Sequence, residues 1–274
     1  RVSPTWQGEL PPVPCRPRGL RDWLRVLRRG APVALMTFGG LAVLLVLRLA
    51  EAPLFGPRRP WSPHLVRAVC RANLWCLGFR SRFTGTPAKA PAVIAANHSS
   101  WLDIFALNAG QTVTFVAKSE VAGWPGIGWL ARATGTVFIR RDPAQAAAQV
   151  ALLRERLTTG GRIAFFPEGT STDGQRVLPF KPALFAAFLD VPGLQVQPVT
   201  IRWQAPEAAD PRVYGWWGNM DLGPHLLGVL ARRRQGGLTV IRHAPISPAG
   251  GRKALAAAAE AAVRAGFDAQ DSAA

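Results

Sequence analysis

Cysteine is scarce in this chain: Cys15, Cys70 and Cys76 are the only three among 274 residues. An odd number without C-x-x-C spacing supports neither a disulfide framework nor a zinc site, so a reducing compartment and no metal are expected. Acid is scarce too, with 16 Asp and Glu against 33 Lys and Arg and a formal net charge of +17. That deficit implies an anionic partner: nucleic acid, an acidic membrane face, or an acidic cofactor or carrier protein. The nucleic-acid branch lacks a helix-turn-helix pattern, an RNP sequence or zinc spacing. There is no internal repeat, and no G-x-S-x-G elbow that would carry an acyl-enzyme serine. Apolar residues are plentiful at 49%, enough for a full core, and ten of them are Trp. Trp in a basic chain favours the headgroup level of a membrane. The length suits one large domain, or one domain with an appendage.

Residues 1–30 read as a leader rich in Pro and Arg, with Arg16, Arg18, Arg21, Arg25, Arg28 and Arg29 interrupted by Asp22. Residues 31–47 are apolar and uncharged, close to the shortest helix that crosses about 30 Å of hydrocarbon. Pro32, Gly39 and Gly40 weaken that segment. A signal peptide cut near Ala50-Glu51-Ala52 is the competing reading, and the long basic leader and Pro53 argue against it. Residues 65–79 suit an interfacial helix with Arg67 and Arg71 on one face, or a surface helix docked on the core. Arg80 and Arg82 lead into Gly85, Pro87 and Pro91, which read as a linker. These features divide the chain into a leader at 1–30, membrane-associating helices at 31–84, a main domain at 85–266 and a tail at 267–274.

From residue 91 strands and helices alternate. Strands are expected at 92–96, 112–117, 136–139, 162–166, 195–202 and 238–242. Helices are expected from 101, over 120–133 with an interruption near Trp124-Pro125-Gly126, from Asp142-Pro143 to Gly160, and over 182–189 and 252–265. The alternation predicts an α/β fold, a mainly parallel sheet flanked by helices, with an N-terminal helical membrane-associating segment.

The central stretch is AVIAANHSSWLDIFAL at 92–107. An apolar strand breaks at Asn97-His98-Ser99-Ser100 and resumes as a helix, with the serines as N-cap candidates. His98 then lies on the turn and Asp103 in the first helical turn. On one helix a five-residue separation would put them on different faces. Across a turn the carboxylate can reach back to one ring nitrogen and leave the other free to take a proton from a hydroxyl. The plainer alternative is a capped helix whose first-turn Asp complements the dipole. Two other strands end in chemistry: 165–170, FFPEGT, in Glu168, Gly169 and Thr170, and 135–141, GTVFIRR, in Arg140 and Arg141. Ligands collect at strand ends in open α/β sheets. Taken singly, these two could be a tight turn and a solvated basic edge.

Together, and in this order, NHSSWLD, GTVFIRR and FPEGT resemble the signature blocks of the glycerolipid acyltransferases, the 1-acylglycerol-3-phosphate acyltransferase family. FVAKSEVAGWPGIGWLARATG at 115–135, LPFK at 178–181 and VQPVTI at 196–201 extend the resemblance. It implies that His98 is the general base and that Asp103 orients it and supports the imidazolium. It implies an acyl thioester of acyl carrier protein or coenzyme A as co-substrate, with no further cofactor. Arg141 falls in the place of the arginine in the second block, and Glu168, Gly169 and Thr170 in the place of acceptor-site residues. Lys118 and Lys181 are second-rank candidates for anionic groups. Where the family's third block commonly continues with arginine, associated with the acceptor's phosphate, this chain has Ser171. A neutral hydroxyl there removes a bidentate phosphate contact. FPEGTSTDG with LPFK is similar to the bacterial branch that acylates lyso-ornithine lipid.

The expected function is therefore O-acyl transfer from a thioester to a lysolipid hydroxyl, with lyso-ornithine lipid as acceptor. Lysophosphatidate is the alternative acceptor, and hydrolysis or transacylation a further variant. A basic lipid- or nucleic-acid-binding module with a structural His98 and Asp103 is the reading from another class. Basic flanks on both sides of 31–47, including Arg48, Arg58 and Arg59, disfavour a simple span. The expectation is monotopic attachment to the bacterial inner membrane, the catalytic domain facing the cytoplasm, with a lipid bilayer, a lysolipid and a thioester carrier as partners and no nucleic acid.

Overall fold

The computed structural model describes residues 5–13, 16–56, 58–139, 143–189, 191–248 and 250–269. Leu20–Phe55 is a single helix, α1, about 54 Å long at 1.5 Å per residue. It is much longer than the apolar stretch at its centre. Asp22 sets its start, accepting from the Arg18 N–H at 2.9 Å and pairing with Arg25 at 2.6 Å. Pro32 and Pro53 both lie inside it. By length and composition α1 could cross a membrane, and little of its apolar part is buried.

The chain turns back into α2, Ser62–Leu77. Buried Glu51 makes that turn, its carboxylate accepting from the backbone N–H of Trp61 at 2.7 Å and Ser62 at 2.8 Å and from the Ser62 hydroxyl. It thereby satisfies N–H groups that a helix start leaves without intrahelical partners. Gly40 is the crossing point of the two helices: a Cβ there would stand 2.6 Å from Val69 Cγ2. The residue that weakens an isolated span is what lets α1 and α2 approach. α2 buries Cys70, Leu74 and Leu77 and leaves Trp75 exposed, so it is docked along one face only.

The sheet begins at β1, Arg80–Thr84, just before the stretch read as a linker and within the 31–84 segment expected to be membrane-associating helices; residues 80–84 are instead a strand paired with β7. β1 is an edge strand, and its exposed arginines suit an edge that must not recruit another chain. β2 is Ala92–Ala96, followed by α3, Leu102–Gly110, and β3, Thr114–Lys118. A 3-10 turn, Ser119–Gly123, precedes α4, Ile127–Thr134, and β4, Val137–Ile139. Then come α5, Pro143–Thr158, and β5, Arg162–Phe165. Pro182–Phe188 is helical as expected, in the 3-10 form. β6 is Gln195–Gln204, α6 is Leu222–Ala231, β7 is Gly237–Arg242 and α7 is Gly251–Asp268. The expected cap at Asp142 lies outside the described residues.

The strand order is β1-β7-β6-β2-β5-β3-β4, parallel throughout except for the antiparallel β6–β7 pair. β2 lies near the middle, and all its residues are buried. Its alternation explains why. Ala92, Ile94 and Ala96 join a core shared with α2, α3 and α6 on one face of the sheet. Val93 and Ala95 join a second core with α5, α7 and the 182–188 turn on the other. A sheet covered on both faces has continuous apolar strands, and its polar chemistry is confined to strand ends. The carboxyl ends of parallel β2, β3 and β5 put residues 97–100, Lys118 and residues 166–170 along one rim.

Candidate active site

Asn97 ends β2 by continuing its pairing through a side chain. Its Nδ2 donates to the Ile201 carbonyl at 2.8 Å, and its Oδ1 accepts from the Ile201 N–H at 2.7 Å. The backbone is thus free to turn at His98. His98 Nδ1 lies 2.9 Å from Asp103 Oδ2. The same oxygen accepts from the Ser99 N–H at 2.7 Å and the Ser100 N–H at 2.9 Å. Of the two serines expected as caps, Ser100 accepts from the Leu102 N–H at 3.4 Å, and Asp103 answers in the reverse direction. α3 has no side-chain cap at Trp101, and the Asp103 carboxylate holds the serine amides.

The other Asp103 oxygen accepts from the Trp203 indole N–H at 2.6 Å. Asp103 is completely buried, and four donors surround it. Such saturation is what an ionised carboxylate in an apolar interior needs. An ionised carboxylate only accepts, so the Nδ1–Asp103 contact assigns the neutral His98 proton to Nδ1 and the lone pair to Nε2. The ring stacks on Phe166, with centroids 3.9 Å apart and planes 12° from parallel, and Phe166 stacks in turn on Phe115. The His98 side chain is 19% exposed, so the site is open on one side.

Glu168 supports the turn from below. It is buried, with one oxygen accepting from the His98 N–H at 2.6 Å and the other from the Leu178 N–H at 2.8 Å. Burial pushes its carboxyl up to about 8, aided by the charge of Asp103, while the two backbone donors pull the other way. The His98 carbonyl accepts from the Thr172 N–H at 3.0 Å, and the Ser99 carbonyl from the Trp216 N–H at 2.7 Å. Gly169 has φ +70, and a Cβ there would meet Lys181 Nζ at 2.7 Å, so Lys181 lies across this turn. Thr170 Oγ1 accepts from the Trp6 N–H at 3.2 Å and donates to the Ser171 carbonyl at 3.3 Å. Ser171 is partly buried beside it.

Structure therefore brings together His98, Asp103, Glu168, Gly169, Thr170, Ser171 and Lys181. Lys118 ends β3 on the same rim. Arg141 lies outside the described residues. Sequence reasoning missed Trp203, Phe166 and Trp6 as parts of the site. Trp203 follows two residues after the 196–201 block and Phe166 precedes Pro167-Glu168, so strand-end position was the available signal. It also missed buried His225 in α6, whose Nδ1 accepts from the Trp101 indole at 3.0 Å. Burial pushes His225 down to about 4, which keeps its ring neutral and able to accept that bond.

A strand-end His–Asp pair on a mainly parallel sheet, with a carboxylate bracing the histidine's backbone, defines a class. The acyltransferase family matches residues 80–202, beginning at the first residue of β1, and the chain belongs to that family and is an acyltransferase. Among its relatives, the lyso-ornithine lipid O-acyltransferase of Rhodobacter capsulatus is 52% identical over 97% of this chain and 98% of that protein. The lyso-ornithine lipid O-acyltransferase of Pseudomonas aeruginosa is 36% identical over 88% of this chain and 93% of its own. The fold is shared with the crystal structure of the 1-acyl-sn-glycerophosphate acyltransferase PlsC from Thermotoga maritima. That structure has a TM-score of 0.65 at 21% identity and covers 92% of this chain and 97% of its own.

Proposed function

We propose that this acyltransferase moves an acyl group from the thioester of acyl carrier protein or coenzyme A to the hydroxyl of lyso-ornithine lipid. The observation that carries the chemistry is the His98–Asp103 contact at 2.9 Å, with Asp103 fixed by three further donors. The lysolipid hydroxyl gives its proton to His98 Nε2 as its oxygen attacks the thioester carbon. Asp103 holds the ring and stabilises the imidazolium that forms. When the carbon–sulfur bond breaks, the same proton passes to the departing thiolate. No acyl-enzyme and no cofactor beyond the thioester are required. Glu168 keeps the His98 backbone in register with the 178 region.

The acceptor assignment rests on Ser171 and on the named activity of the two relatives. Loss of a charge-assisted phosphate contact lowers affinity for a phosphomonoester headgroup by about ten- to a hundred-fold. Lysophosphatidate is the second reading, favoured by Lys181 lying across the Gly169 turn. Arg141, one residue past Arg140 after β4, is assigned to the anionic side of the substrates, and Lys118 and Lys181 are assigned with it. The exposed apolar side of α1 and the net charge of +17 support attachment to an anionic bilayer. We assign the enzyme to the inner membrane, entering one leaflet through α1 and α2 and holding the domain that begins with β1 at Arg80 in the cytoplasm.

The test offers purified enzyme both lysolipids with one acyl-carrier-protein donor and compares kcat/KM. Lyso-ornithine lipid should win, and Ser171→Arg should move the preference toward lysophosphatidate. A wild-type preference for lysophosphatidate refutes the acceptor assignment.

A further inference from the structure

The chain before α1 returns to the site. Residues 5–13 lie across two loops that hold the His98 turn, 170–176 and 213–217. The Trp6 N–H donates to Thr170 Oγ1, a contact between residues 164 apart in sequence. The Trp6 indole packs on Trp217 with centroids 6.2 Å apart, and the Arg176 guanidinium lies 5.3 Å over it. Arg176 also pairs with Glu9 at 3.4 Å and with Asp173 at 3.3 Å. Arg212 Nη1 donates to the Pro11 carbonyl at 3.2 Å. Gly8 has φ +76, and a Cβ there would stand 2.9 Å from Trp217 Nε1, so the backbone passes edge-on against that indole. Trp217 is 2% exposed, and its indole N–H has no hydrogen-bond partner among the described residues.

Neither loop is remote from the reacting centre. Thr172 donates to the His98 carbonyl and Trp216 to the Ser99 carbonyl. Thr170 precedes Ser171, the position assigned above to headgroup discrimination. We propose that residues 5–13 form a strap that completes the acceptor side of the site. Trp6 is its positioning residue, holding the 170–172 turn through Thr170 in the shape that receives the lysolipid headgroup. This rests on the reading that Thr170 and Ser171 face the acceptor. All the strap's contacts run to the 170–176 and 212–217 loops on the assigned acceptor side, so the strap should act on the acceptor and not the donor.

The test uses the full chain, purified in detergent, with Trp6→Ala, Trp6→Phe and Gly8→Ala. KM is measured for the lysolipid at saturating donor and for the donor at saturating lysolipid, with Tm alongside. Trp6→Ala keeps the backbone N–H that reaches Thr170 but removes the aromatic pair and cation–π contact that fix it there, so acceptor KM should rise about five- to tenfold. Donor KM should hold, and Trp6→Phe, which keeps an aromatic face for Trp217 and Arg176, should restore most of the acceptor affinity. Gly8→Ala, strained at positive φ and crowded by Trp217, should behave like Trp6→Ala. An acceptor KM within about twofold of wild type overturns the proposal. So does a parallel rise of both KM values with a fall in Tm, the mark of a purely structural strap. The KM comparison works with either lysolipid, so a preference for lysophosphatidate would refute the acceptor assignment and leave the strap standing.

Discussion

Replacing Trp203 by Phe tests the site at the contact least visible in sequence. The indole N–H lies 2.6 Å from Asp103 Oδ1, and both groups are buried. A hydrogen bond to a buried charge contributes about 1.5–3 kcal/mol. Phe keeps an aromatic body against Phe79 and Tyr214, which stand 4.8 Å and 6.1 Å from Trp203, and removes the donor. The smaller ring leaves a cavity that adds about 1 kcal/mol. Stability should therefore fall by about 2.5–4 kcal/mol. The catalytic effect is separate. Oδ1 loses its one direct partner, the carboxylate can rotate, and the support of the imidazolium weakens as charge develops on His98. If the bond is felt fully in the transition state, kcat falls about ten- to a hundred-fold, since 1.36 kcal/mol is a factor of ten. Acyl transfer to lysolipid at saturating donor, with thermal denaturation in the same detergent, reads both quantities. A lowered Tm with kcat within about twofold of wild type refutes the reasoning, because Asp103 would then hold His98 without help from the indole.

His98→Ala should lower kcat by about 10²–10⁴ while the chain still folds, with a Tm loss from the missing Asp103 donor and Phe166 stacking; near-normal turnover would remove His98 as the base. Glu168, raised from 4.5 to about 8, gives a pH signature. Between those values the folded chain binds a proton that the unfolded chain has released, so this residue's contribution falls as pH rises through the window. The cost is absent below about 4.5 and complete above about 8, when it amounts to about 4–5 kcal/mol. Measured as Tm against pH, wild type should lose stability relative to Glu168→Gln from pH 5 to 8. A relative gain over that range would show that the two N–H donors, not burial, decide its ionisation.

The parts of this site that sequence made legible are those within a few residues of each other. AVIAA reads as a buried strand because every position meets a core, and His98 and Asp103 meet because a turn separates them. The unreadable parts are tertiary. Trp203 reaches Asp103 from a strand 100 residues on. β1 has an exposed, arginine-rich pattern because it is an edge strand, and that pattern is hard to tell from a linker. Gly40 reads as a helix weakener until Val69 is seen against it. Ser100 and Asp103 stand at capping-box spacing, and the carboxylate does take the Ser100 amide while the Ser100 hydroxyl accepts from Leu102; that the same oxygen also takes the Ser99 amide and His98 is the part the helix-start pattern does not show.

The length of α1 and the exposure of its apolar side chains bear on how the reaction is counted. An enzyme seated in a bilayer by such a helix meets its lysolipid in a plane. On the proposed reading, the concentration that governs its rate is the acceptor's mole fraction among the surrounding lipids, while the thioester donor arrives from three dimensions. Diluting vesicles in buffer would leave the acceptor term unchanged, whereas adding inert lipid to the same vesicles would slow turnover with every molecule of substrate still present.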